Sequence, residues 1–268
     1  MAQSQLFEEV FNASSIYQML FFNVKSVLQY PSLEKLKEGN PSMFERWEYL
    51  VNTKYNNIPA GQFIDMAQYS QKKYEENAPY YPEYSKIIAI TYATLYLENG
   101  ELKREFKRVL NDDERLVIET FMGELQLLSS AATKSSPIFF PPLCGHNIIS
   151  HDIPLLIKRF LINRKEIETV KQLPLILKRC LNIKPWESGI IDTVNVWKFN
   201  GYDSMSLTLI SDFLGLKKTV DLLPLPELSK YYWENEGIDH KKTMEFVALQ
   251  SATQTNLIIQ LMNELRQV

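Results

Sequence analysis

Residues 86–109 read KIIAITYATLYLENGELKREFKRV. Lys86 to Leu97 is dense in β-branched and aromatic side chains, the types that fit a pleated, half-buried surface. Asn99-Gly100 follows, and that pair suits a two-residue turn with positive φ at both positions, the kind that joins twisted antiparallel strands. Leu102 to Val109 supplies the return strand, so the stretch predicts a β-hairpin. Directly after it, Asn111-Asp112-Asp113-Glu114 predicts a helix start, with acids at the positive end of the helix dipole. Leu116, Val117, Phe121, Leu125 and Leu128 recur at helical spacing and give that helix an apolar face.

Working outward, residues 16–27, IYQMLFFNVKSV, read as a strand built on Met19-Leu20-Phe21-Phe22. Residues from about 32 to 80 break any regular period and read as an inserted segment of helix and loop, closed by Pro79-Tyr80-Tyr81-Pro82. Ser129 to Pro142 is a small-residue and Pro-rich connection with a short strand expected at Ile138-Phe139-Phe140. Helical spacing returns from Ile153 to Ile162, loops are expected up to Pro185, and Ile190 to Val196 reads as a strand. Helices are expected at about 204–214 and 240–266. Strand, hairpin, helix, strand, helix, strand and helices in that order describe one α/β domain with a mixed sheet.

Composition narrows the classes. Hydrophobic residues are 45% and charged residues 23% of the 268, the balance of a globular protein. The net charge of −3 supplies no general cationic field for polyanions, so any nucleic-acid contact rests on a local patch and is expected to be weak. Cys144 and Cys180 stand alone, which argues against a zinc site or a disulfide framework and for free thiols in a reducing compartment. The N-terminal MAQSQLFEEV lacks the basic start of a secretory signal, and no apolar run has the length of a membrane span. A cytoplasmic protein without a membrane partner is the expectation.

Several stretches, in order, carry a resemblance. Tyr81-Pro82-Glu83-Tyr84-Ser85-Lys86-Ile87-Ile88 enters the hairpin. Leu143-Cys144-Gly145-His146-Asn147 is followed by Asp152-Ile153-Pro154 and Lys158-Arg159. Lys184-Pro185-Trp186-Glu187, Asp192-Thr193 and Trp197-Lys198-Phe199 come next, and then Ser206-Leu207 through Leu214-Gly215. Together they resemble a predicted 3'-5' exonuclease family related to the proofreading exonuclease domain of family-B DNA polymerases, over roughly residues 16–265. The resemblance implies a ribonuclease H-like sheet of the DEDD superfamily. Four carboxylates would there hold two Mg²⁺ or Mn²⁺ ions that activate water and stabilise the leaving oxygen.

Carried over residue by residue, the first pair of carboxylate positions falls on Asn23 and Lys25, on one face of a strand because they are two apart. The third falls on Asp152. The last falls on Ser251, with Val247 where an aromatic residue would orient the water; in a shifted register Glu245 would take the place of the missing acid. One acid of four remains. An ammonium 4 Å from a unit positive charge is opposed by roughly 4 kcal/mol at an effective dielectric near 20, and a dication doubles that. Lys25 is therefore expected to replace a metal and to pair with Asp152.

Asp152 reads either as a residual metal ligand or as a helix cap or ion-pair residue. His146 and Asn147 read as nucleotide contacts or as turn residues, and Lys158 and Arg159 as phosphate contacts or a solvated helix face. Three functions remain open: a catalytically impaired exonuclease-like protein kept as a nucleic-acid-binding or protein-interaction module, with no cofactor; an active exonuclease on DNA or RNA with an altered Mg²⁺ or Mn²⁺ site; and an assembly subunit with no nucleic-acid role.

Overall fold

The computed structural model describes residues 16, 19–55, 65–135, 141–182, 190–198, 201 and 205–266. Its strands are β1 (Leu20–Leu28), β2 (Ser85–Glu98), β3 (Glu101–Leu110), β4 (Leu143–Gly145) and β5 (Ile190–Asp192), in a five-stranded mixed sheet of order β3-β2-β1-β4-β5. The helices are α1 (Leu33–Gly39), α2 (Pro41–Lys54), α3 (Met66–Asn77), α4 (Glu114–Ser135), α5 (Ile153–Asn163), α6 (Leu175–Asn182), α7 (Thr193–Trp197), α8 (Leu207–Leu214), α9 (Leu225–Asn235) and α10 (His240–Leu265). The α/β class and the mixed sheet with flanking helices are those expected. Among the described residues no helix is long and apolar enough to cross a membrane.

The hairpin forms where the sequence places it. β2 and β3 pair antiparallel without a break from Ala89↔Leu110 to Glu98↔Glu101. Asn99 and Gly100 take φ of 55° and 82°, the left-handed values this turn demands. On the other side of β1 the pairing is parallel: Leu20↔Leu143 and Phe21↔Cys144 join β1 to β4, and Cys144↔Ile191 and Gly145↔Asp192 join β4 to β5.

Two compact units divide the chain. The first comprises residues 1–25, 87–222 and 245–268; the second comprises 26–86 and 223–244. In the first unit, alternation along β1 sends Phe22 and Val24 to a core with Val117 and Phe121 of α4 and Leu156 and Phe160 of α5. Phe21 faces the opposite way, into a core with Cys144, Ile210 of α8, and Leu257 and Leu261 of α10. With helices on both faces, every residue of β1 is buried, Asn23 and Lys25 included. α4 starts as its sequence promises, with the Asp113 carboxylate accepting the Arg115 N–H at 3.0 Å.

The second unit is organised around Trp47, which is fully buried. Tyr74 and Tyr84 meet its ring edge-on at 5.4 and 5.2 Å, and its Nε1 donates to the Ser70 carbonyl at 3.3 Å. Asn40 ends α1 and caps α2, its Oδ1 accepting from the Met43 N–H. α9 is pinned to Leu28 twice: Ser229 Oγ accepts the Leu28 N–H at 2.8 Å, and Trp233 Nε1 donates to the Leu28 carbonyl at 3.0 Å.

Some segments differ from expectation. β1 begins at Leu20 rather than near residue 16. The loops foreseen before Pro185 contain α6, and α9 has no counterpart in the sequence reading. The strand foreseen over Ile190–Val196 stops at Asp192, because that carboxylate caps the Val194 N–H and turns the chain into α7. The strand expected at 138–140 and the segment 184–187 lie outside the described residues.

Two glycines test the packing in opposite directions. A Cβ on Gly145 would sit 2.1 Å from Ile148 Cγ2 and 2.8 Å from the Phe22 carbonyl oxygen, whereas one on Gly123, within α4, meets nothing within 4 Å. Gly145→Ala is expected to destabilise by about 1–3 kcal/mol, and Gly123→Ala to stabilise by about 0.5–1 kcal/mol. Urea unfolding of the two variants measures both.

Candidate functional site

Asn23 and Lys25 project from the same side of β1 towards α10, and their hydrogen bonds end there. Asn23 Nδ2 donates to the Ser251 carbonyl at 2.8 Å and to Thr255 Oγ1 at 2.5 Å, while Ser251 Oγ donates back to Asn23 Oδ1 at 3.0 Å. Asn23, Ser251 and Thr255 are all 0% exposed. The spacing of Ser251 and Thr255, one helical turn, lets one amide engage both. Val247 lies a turn earlier on α10 and is buried.

The Lys25 ammonium donates to Gln254 Oε1 at 2.5 Å. Burial presses its pKa down to about 8, and the nearby negative charge of Asp152 acts in the other direction. Lys25 and Asp152 thus share the site, but the ammonium's hydrogen-bond partner is Gln254. The oxygens of Asp152 are engaged elsewhere: Oδ2 accepts the Val24 N–H at 3.0 Å and Oδ1 meets His151 Nδ1 at 2.8 Å. Asp152 stands at the N-terminus of α5 without capping it; its side chain ties the helix start to the backbone of β1 instead.

The loop after β4 holds the next candidates. Asn147 adopts φ 62° and opens a single π-helical turn, Ile148–Asp152. Asp192 organises this loop from the end of β5: its carboxylate accepts the N–H groups of Asn147 at 2.7 Å, Ile149 at 3.0 Å and Val194 at 3.0 Å. Burial raises the Asp192 pKa, against the pull of those three donors, and the charge of Asp152 raises it too.

His146 is held between Thr193 Oγ1 at 2.9 Å and the Met205 carbonyl at 3.1 Å. A carbonyl only accepts, so Nε2 carries the proton, and the Thr193 hydroxyl stands between Nδ1 and the Gly145 carbonyl, 3.2 Å away, as the donor open to both. Burial lowers its pKa to about 4, so the ring is neutral near pH 7.

The remaining pair separates. Lys158 is exposed on α5. Arg159 is only 3% exposed, and its guanidinium grips Glu114, Nε lying 2.8 Å from Oε1 and Nη2 2.5 Å from Oε2. Glu114 also accepts the Ile87 N–H at 2.6 Å, so the pair fastens α5 and α4 to the start of β2 in the first unit. Glu245 is exposed on α10.

The sequence reading therefore brings Asn23, Lys25, Asp152 and Ser251 to one place. It assigned no role to Gln254, Thr255 or Asp192, and it read Glu114 only as part of a helix start. The i, i+3 and i+4 polar spacing of Ser251, Gln254 and Thr255 was the available signal for the first two. For Asp192 it was an acid followed at once by Thr193, a pattern that caps a helix.

The donor set does not fit a pair of divalent cations. The Asn23 amide is saturated by α10, Ser251 offers a hydroxyl already donated, and a buried ammonium stands in the site beside the single carboxylate. Mg²⁺ and Mn²⁺ need several anionic oxygens. Among the described residues no three His, Cys, Asp or Glu side chains gather as a metal cage.

Two titrations probe this geometry. For Lys25 the folded pKa lies below the unfolded one, so between about pH 8 and 10.5 the unfolded chain binds the extra proton and folded stability rises with pH. The full gain is on the order of 3 kcal/mol. Urea unfolding at pH 7 and pH 10 is expected to show wild type gaining on Lys25→Met; parallel behaviour would place the ammonium in water. For His146, also depressed, stability is present above about pH 6.5 and lost as pH falls towards 4. Wild type is therefore expected to weaken in that window relative to His146→Gln.

No family model, curated protein or solved structure matches this chain.

Proposed function

We propose that the chain is a ribonuclease H-like relative of the proofreading-type 3'-5' exonucleases in which the metal pocket has become a polar clamp, and that it acts by binding rather than by cutting. The observation that carries this reading is the pair of links from β1 to α10, Asn23 to Ser251 and Thr255 and Lys25 to Gln254. Side chains that a two-metal nuclease would aim at its ions are here aimed at each other. The hairpin on one side of β1 and the parallel strands on the other support the ribonuclease H-like assignment.

The clamp explains why an asparagine is tolerated, fully buried, on the central strand. Removing a buried polar group's only partner costs about 1–3 kcal/mol, and here every donor of Asn23 has an acceptor. A tethered amine beside Asp152 keeps the local charge balanced without a dissociable ion. The protein's value to the cell then lies in its surfaces, with single-stranded nucleic acid or a protein as the partner.

Incubation of the full chain with end-labelled single-stranded DNA and RNA in Mn²⁺ is expected to leave both intact, with Asp152→Ala indistinguishable from wild type. Cleavage that disappears in Asp152→Ala would overturn the reading. A gel shift that weakens steeply with salt would identify nucleic acid as the bound partner; no shift at any salt would point to a protein.

A further inference from the structure

The second unit contains a cavity of about 490 Å³ between α3, α9 and the end of β1, within the ~300–1,000 Å³ range of sites that accept a ligand. Leu28, Pro31, Pro226 and Trp233 give it apolar walls. Glu75 of α3 and Glu227 and Glu234 of α9, all exposed, stand around it, and only Lys230 and Ser229 add other polar groups of α9.

We propose that this groove binds an extended, basic peptide segment of a partner protein, with two Arg or Lys residues three positions apart and apolar residues between them. The inference is independent of the reading of the first unit. Glu227 and Glu234 are seven residues apart on α9, two turns along one face and about 10 Å from each other. That separation is too long for one ammonium but matches residues i and i+3 of a polyproline-type strand, which lie about 9 Å apart on one side. Proline and tryptophan walls are the surfaces on which such segments pack.

The competing charges on the rim are weak. Lys230 approaches Glu234 only to 3.8 Å, and both are largely exposed, so an incoming guanidinium displaces that contact at little cost. Trp233 is already a cation platform: its ring lies 5.0 Å from the Lys86 ammonium, and its Nε1 is fixed on the Leu28 carbonyl. The indole is therefore held in place before a ligand arrives, which reduces the ordering cost of binding.

The test uses the full chain and a fluorescein-labelled Arg-Leu-Pro-Arg peptide, followed by anisotropy at low salt. Saturable binding is expected, weakened about tenfold in Glu227→Gln/Glu234→Gln, which loses both guanidinium–carboxylate contacts. Both glutamates are exposed, so the variant is expected to fold as wild type, and circular dichroism checks that it does. A peptide with both arginines replaced by glutamine is expected not to bind. No saturable binding, equal binding by the double variant, or displacement of the peptide by equimolar spermine would each overturn the proposal.

Discussion

A polar group that leaves water must be met by another, and β1 places that demand at the centre of the first unit. Phe22 and Val24 are ordinary core residues, but Asn23 and Lys25 between them face the other layer with two amide protons and an ammonium. α10 must therefore run where Ser251, Gln254 and Thr255 can answer them. Apolar packing by Leu257 and Leu261 would allow that helix to slide; the amide and ammonium fix its register.

Three buried carboxylates work in a related way. Asp152 takes the N–H of Val24, Glu114 takes that of Ile87, and Asp192 takes those of Asn147, Ile149 and Val194. Each acid binds the main chain at a strand or at its exit, where the sheet ladder leaves donors over. Glu114 is neutralised by Arg159 and Asp152 lies near Lys25, whereas Asp192 relies on peptide dipoles. The loop after β4, with its π turn and left-handed Asn147, is thus built around an anion that belongs to the protein itself.

Local chemistry was legible and long-range answers were not. The hairpin could be read because Asn99-Gly100 permits few backbone conformations and Lys86 to Leu97 before it is dense in β-branched and aromatic side chains. α4 could be read because Asp113 precedes an apolar period. By contrast, α9 went unread although Leu225, Leu228 and Tyr232 recur at helical spacing, because Pro224 and Pro226 at its start read as loop. Arg159 looked like a surface cation because nothing in its neighbourhood in the chain names Glu114, 45 residues earlier, as its partner. Asn23 and Ser251 could be placed together only through the resemblance, since 228 positions separate them.

The sheet ends differently at its two margins. β3 is ten residues long and lies at one border, and along it stand Lys103, Arg104, Lys107 and Arg108, with Lys103 paired to Glu101 and Lys107 to Glu124. β5 forms the other border and ends after three residues, where Asp192 bends the chain away. Among the described residues, then, one border is lined with charged side chains, which blunt an edge strand, and the other is too brief to template a partner. The hairpin's charged border strand thereby also guards the chain against stacking into larger aggregates of its own copies.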